Sequence, residues 1–94
     1  MRYVLLFETA YNSLEEALQQ APRDIQAHLA RTREFHTRGV LLEAGAFRDP
    51  DHKLSTMAIF TTREAAEEYA AGDPFKINGM VTSYSIREWT NALR

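Results

Sequence analysis

Val40-Leu41-Leu42-Glu43-Ala44-Gly45-Ala46-Phe47 and Leu54-Ser55-Thr56-Met57-Ala58-Ile59-Phe60-Thr61 are two largely apolar runs separated by Arg48-Asp49-Pro50-Asp51-His52-Lys53. A short charged segment containing proline, set between two such runs, predicts an antiparallel hairpin with a polar turn. The second run has two apolar sets, Leu54, Ala58 and Phe60 against Met57 and Ile59, so both of its faces want cover. A hairpin in mid-chain organises what lies on either side of it.

Upstream, residues 2 to 9 are aromatic, β-branched and leucine-rich on both alternating sets, Tyr3, Leu5 and Phe7 against Val4 and Leu6, and predict a first strand. Ser13 and Glu16 form a Ser-x-x-Glu capping box ahead of Leu14, Ala17 and Leu18, predicting a short helix before Pro22. A longer helix is expected from about Asp24 to Arg38, stopped by Gly39. At about 100° per residue, Ile25, Leu29, Thr32 and His36 share a narrow arc flanked by His28 and Phe35, and that arc is the expected buried stripe.

Downstream, Thr61 and Glu64 form a second Thr-x-x-Glu box, opening a helix that carries Ala65, Ala66, Tyr69 and Ala70 inward and ends near Gly72. Ala71-Gly72-Asp73-Pro74-Phe75 follows as a sharp corner. Gly72 can take the positive φ that ends a helix, Asp73 can cap the next turn, and Pro74 suits its first position. After Asn78-Gly79, residues 80 to 89 alternate Thr82, Tyr84 and Ile86 with Val81, Ser83 and Ser85, and Trp89 closes a last strand.

The order β-α-β-β-α-β predicts an α+β ferredoxin-like sandwich, with one antiparallel sheet and both helices on one face, as a single domain over residues 1–94. The other sheet face is then left apolar and bare. A homodimer packed through the two sheet faces would bury it; the C-terminal tail or the 10–22 segment folded across it is the alternative.

Composition narrows the function. The chain has 94 residues, is 45% hydrophobic and 26% charged, and carries a formal net charge of -2, which offers nothing to nucleic acid or an anionic membrane. It has no cysteine, which excludes thiolate catalysis, disulfides, zinc ribbons and iron–sulfur sites. The first strand is too short for a signal-peptide core and no stretch is long enough for a membrane helix, so a cytoplasmic location is expected. Metal binding is not expected, because His28 and His36 stand eight apart with no His-x-x-x-His or paired carboxylates beside them. The four glycines are scattered singly, so no phosphate-cradling loop exists. No Gly-x-Ser-x-Gly nucleophile elbow is present either.

The Tyr-Val-Leu-Leu-Phe strand, His28-Leu29-Ala30 in the long helix, Arg38-Gly39-Val40-Leu41-Leu42-Glu43-Ala44-Gly45 entering the hairpin, and Gly72-Asp73-Pro74-Phe75 resemble the YCII (YciI-like) family over nearly the whole chain. The resemblance implies a dimeric α+β barrel fold, a histidine and an aspartate acting as a pair, and similarity to small enzymes of aromatic-compound breakdown such as dehydrochlorinases and muconolactone isomerase. The family histidine falls on His28, its aspartate on Asp73, its glycine after the second strand on Gly45, and a hydroxyl at the third strand on Ser55. The chain has Gly45-Ala46 and Leu54-Ser55 where many members have Gly-Pro and Gly-Ser.

A histidine oriented by a carboxylate can move protons without a cofactor: the acid fixes the tautomer and stabilises the imidazolium. The expected activity is therefore a cofactor-independent lyase or isomerase acting on a small cyclic or aromatic-derived acid. His28 would be base or acid, Asp73 its orienter, Ser55 or Ser83 a substrate-binding hydroxyl, and Gly45 and Phe75 part of the pocket. Tyr3, Phe7, Phe47, Phe60 and Tyr84 would line the rest. The plain alternative is a non-catalytic dimer that binds a small ligand or a partner protein. There His28 and Asp73 only pin helix to loop, Asp73 is a cap, His36 is a packed core or interface histidine, and His52 is solvated in its turn.

Overall fold

The computed structural model describes residues 1–93. Its elements run β1 (Arg2–Thr9), α1 (Leu14–Gln20), α2 (Pro22–Thr37), β2 (Leu41–Ala46), β3 (Ser55–Phe60), α3 (Arg63–Gly72), α4 (Pro74–Ile77) and β4 (Val81–Trp89). One four-stranded antiparallel sheet has the order β2-β3-β1-β4, which is the ferredoxin-like arrangement.

Register fixes which side chains face the helices. Tyr3 lies opposite Phe60, Leu5 opposite Ala58 and Ile86, and Phe7 opposite Thr56 and Tyr84. Because strand side chains alternate, Leu5, Phe7, Ala58 and Phe60 share the helix-covered face. There they join Phe35, Leu41, Ala65, Ala66, Tyr69 and Ala70 in one buried cluster. Three rings, Phe35, Phe60 and Tyr69, interlock with centroid spacings of 5.2 to 6.4 Å. Tyr11, Ala17, Ile25, Leu54 and Phe75 form a second buried cluster.

The opposite face carries Val4, Leu6, Met57 and Ile59, all half-buried, with Glu8, Ser83, Ser85 and Arg87 exposed beside them. The 10–22 segment does not cover it, since Tyr11 and Ala17 pack with Ile25 and Leu54 on the helix side. Residues 90–93 are exposed.

Three local expectations are corrected. The cap of α3 is Thr62, whose hydroxyl accepts from the Ala65 N–H, not Thr61. The Thr61 N–H instead extends the hairpin by donating to the Val40 carbonyl. Helix α2 starts at Pro22 rather than Asp24, because proline fits the first helical position. The buried line of α2 is Ile25 and Phe35 with His28 half-buried beside them, while Leu29 and His36 are exposed. The helix is rolled toward the flank that carries the large ring of Phe35.

Gly39 has φ 81° and ends α2 as expected, and Gly79 has φ 84° after α4. Gly72 is not in that region. What Gly72 supplies is room.

Candidate functional site

His28 stands in the middle of α2, and Asp73 is the single residue between α3 and α4. Asp73 has extended backbone, φ -64° and ψ 132°, which ends α3 and lets it serve as the N-cap of α4 with Pro74 in the first position. Its side chain is fully buried and each oxygen has a partner. Oδ2 accepts from the Phe75 N–H at 3.0 Å, and Oδ1 lies 2.6 Å from His28 Nδ1. Cap and proton-handling partner are the same carboxylate.

That geometry sets the tautomer. A carboxylate that accepts the Nδ1–H leaves the Nε2 lone pair free. The ring is held between Phe75, at 5.8 Å, and Tyr69, at 6.1 Å, and the His28 side chain keeps about a fifth of its surface exposed (19%).

A hydrogen-bonded chain backs the helix turn behind it. The Thr32 hydroxyl donates to the His28 carbonyl at 2.9 Å. Having spent its one proton there, Thr32 must accept from the Tyr69 hydroxyl at 2.8 Å. Burial pushes the Tyr69 phenol up to about 12, opposed by the Thr32 bond and reinforced by the nearby charge of Asp73. Arg31 ties the other end: its guanidinium donates to the Tyr69 carbonyl at 3.0 Å and the Glu68 carbonyl at 3.3 Å, and stacks 5.2 Å from the rings of Phe35 and Tyr69. A Cβ at position 72 would lie 2.6 Å from Arg31 Nη2, so the glycine lets α3 end against this cation. Arg31 thereby fixes where Asp73 emerges.

In front of the pair lies a cavity of about 320 Å³, lined by His28, Asp73 and Phe75, by Leu5, Phe7 and Thr9 of β1, by Ala44-Gly45-Ala46 of β2, and by Thr56 of β3. Leu18 and Leu29, both exposed, stand at its rim. This volume is at the lower end for small-molecule sites. Among the described residues, no group of three or more His, Cys, Asp or Glu side chains is placed to hold a metal ion. Among the described residues no helix is long and apolar enough to cross a membrane.

The YCII-related domain model matches residues 1–90. The chain belongs to that family. Protein YciI of Escherichia coli O6:H1 is 31% identical over 96 residues, covering 93% of this chain and 94% of its own. Among solved structures, the 5-chloro-2-hydroxyhydroquinone dehydrochlorinase TftG of Burkholderia phenoliruptrix, in complex with 2,5-dihydroxybenzoquinone, superposes with a TM-score of 0.66 at 15% identity, covering 97% of this chain and 96% of its own. SnoaB, a cofactor-independent oxygenase of Streptomyces nogalater, gives 0.50 at 18% identity, covering 98% and 94%. At such identities these likenesses show the fold, the ferredoxin-like α+β sandwich described above.

On this YCII-related scaffold the expected site residues do not all converge. His28, Asp73, Gly45 and Phe75 line the cavity together. Ser55 does not: it pairs with Glu8, one residue out of phase with the Phe7–Thr56 pair, and so faces the bare side of the sheet. Ser83 also pairs with Glu8 and shares that side. The β3 hydroxyl in the cavity is Thr56. Of the rings expected in the lining only Phe7 and Phe75 are there, joined by Tyr69; Phe60 is core, Phe47 borders a shallow depression outside β2, and Tyr84 meets Phe7 edge-on at 5.7 Å. His36 is exposed, its Nδ1 2.8 Å from the Leu41 carbonyl, and His52 is exposed in its turn. Nothing in the spacing of the sequence announces the Thr32–Tyr69 and Arg31–Gly72 contacts.

Proposed function

We propose that this chain is a cofactor-independent acid–base enzyme, a lyase or isomerase, that moves a proton on a small cyclic molecule held between α2 and the sheet. The observation that carries this reading is the 2.6 Å contact between His28 Nδ1 and Asp73 Oδ1 at the wall of a ring-sized cavity, with Nε2 left over. His28 takes a proton on Nε2, and the Asp73 carboxylate balances the imidazolium that forms. The same imidazolium then returns the proton to the rearranged product or to a leaving group. Phe75 holds the ring plane, Thr56 offers a hydroxyl, and Gly45 keeps the β2 wall low. That the dehydrochlorinase TftG has the same fold supports the reading as an analogy.

The test is proton exchange. Small hydroxylated ring compounds incubated with the protein in D2O should lose their exchangeable ring-proton NMR signals, and His28→Ala should slow that exchange by about 10²- to 10⁴-fold. Asp73→Asn keeps an acceptor for the Phe75 N–H, so it should slow exchange while the protein stays folded.

A second reading has its own observation. Asp73 is buried with both oxygens engaged, as a purely structural bracket would be. In that case the protein is a non-catalytic binding module, and compounds that bind would show no exchange above buffer.

We also infer that two copies pack through their bare sheet faces, with Val4, Leu6, Met57 and Ile59 of each at the centre. The exposed polar groups around them suit the rim of such an interface.

A further inference from the structure

The charge and hydrogen-bond polarity of the cavity say what kind of molecule it accepts. Among the described residues no Lys or Arg side chain lines it, and the one formal charge in that lining is the carboxylate of Asp73. The guanidinium of Arg31, one turn along α2 from His28, is committed to the carbonyls of Glu68 and Tyr69.

The lining hydroxyl protons are also committed. Thr9 donates to the Leu54 carbonyl at 2.7 Å, Thr32 to the His28 carbonyl, and Tyr69 to Thr32. The lining is therefore short of free donors, and His28, its Nδ1 given to Asp73, has Nε2 left as an acceptor. Among the described residues lining the cavity, Thr56 has the one hydroxyl without a hydrogen-bond partner. The rest of the wall is aliphatic or aromatic.

A carboxylate placed beside the neutral His28 ring would lose its water, meet one hydroxyl donor at most, and lie near a buried like charge; each effect opposes binding. A neutral ring that carries a hydroxyl meets no such penalty and supplies the donor that Nε2 lacks. We propose that the site takes uncharged, hydroxyl-bearing ring compounds and rejects ring carboxylates, so the guest is a phenol- or enol-type molecule rather than the acid expected from the sequence. The inference rests on the cavity beside His28 being the functional site, but not on any reaction occurring there.

A shape-matched set separates the two. Binding of 2-naphthol, 2-naphthamide and 2-naphthoate is followed by the ¹H–¹⁵N shifts of the backbone amides around His28, Thr56 and Phe75 at pH 7.5. The naphthol and the naphthamide should bind, and the naphthoate should bind at least tenfold more weakly or not at all. Thr56→Arg, which places a cation in the wall, should move the preference toward the naphthoate; Thr56→Val controls for loss of the hydroxyl and should leave the naphthoate weak.

Naphthoate binding equal to or tighter than naphthol in the wild type overturns the inference, as does failure of all three to perturb the cavity. Failure of the acid–base reading looks different: the neutral compounds bind with the stated preference, yet exchange no protons in D2O and do so equally in His28→Ala.

Discussion

The Asp73 carboxylate joins two requirements that proteins usually keep apart. Removing it by Asp73→Ala strands both the Phe75 N–H and the His28 Nδ1–H, and a buried donor left alone costs about 1–3 kcal/mol. Chemical denaturation should register that loss, while Asp73→Asn should be milder. The same pair of variants reports on the ring. In wild type the ¹⁵N spectrum of His28 should show hydrogen on Nδ1 and a bare Nε2, and Asp73→Asn, which can offer its own N–H to the ring, should move hydrogen toward Nε2. An Nε2–H tautomer in the wild type would contradict the geometry described above. Tyr69 makes a separate prediction. Its phenol is held up to about 12 in the fold against about 10 when unfolded, so the folded state keeps its proton while the unfolded chain loses it. Stability from this group is intact below pH 10 and is lost between about 10 and 12, on the order of 3 kcal/mol for a shift of that size. Urea melts across that window should fall more steeply for wild type than for Tyr69→Phe.

Among the elements, α2 and the α3–α4 junction matter most, since the site exists only while their spacing holds. Arg31 and Gly72 set it. Gly72→Ala should gain about 0.5–1 kcal/mol of helix propensity but must displace a guanidinium that lies 2.6 Å from the new Cβ. In the Arg31→Ala background the clash is gone, so the same substitution should turn stabilising. A double-mutant cycle with no coupling would show that the two residues are independent. This level is also where the sequence was legible, and where it stopped being so. Capping boxes, Gly39, Asn78-Gly79 and the polar 48–53 turn mark the element order, because each leaves a local chemical signature. The meeting of His28 with Asp73 was readable only through the family's pattern at those positions. Phase was not readable. With both sets of β3 apolar, nothing local says whether Ser55 or Thr56 faces the helices; pairing with β1 decides it. The cap falls on Thr62 rather than the expected Thr61, because the Thr61 backbone continues the hairpin by bonding to Val40 and the helix starts one residue later. The roll of α2 follows from how Phe35 fits against Phe60 and Tyr69, a matter of tertiary packing.

For the molecule as a whole, the bare sheet face is the feature that asks for company. Leu6→Glu places a charge at the centre of that face without touching the helix-side core, and in light scattering it should halve the particle mass if two copies meet there. A wild-type protein that runs as a monomer at micromolar concentration would remove the pairing. Gly45 extends this thought. Its neighbours on β2 form the cavity wall, and the same stretch borders the depression outside with Phe47 and Met57. A methyl group added there would meet no atom of the described residues within 4 Å, and the backbone at that position does not require glycine. An isolated protomer should therefore tolerate alanine at 45 without complaint. Any penalty measured for that substitution would come from a body pressed against the strand from outside or a guest resting on it from within, which makes this small residue a built-in gauge of occupancy.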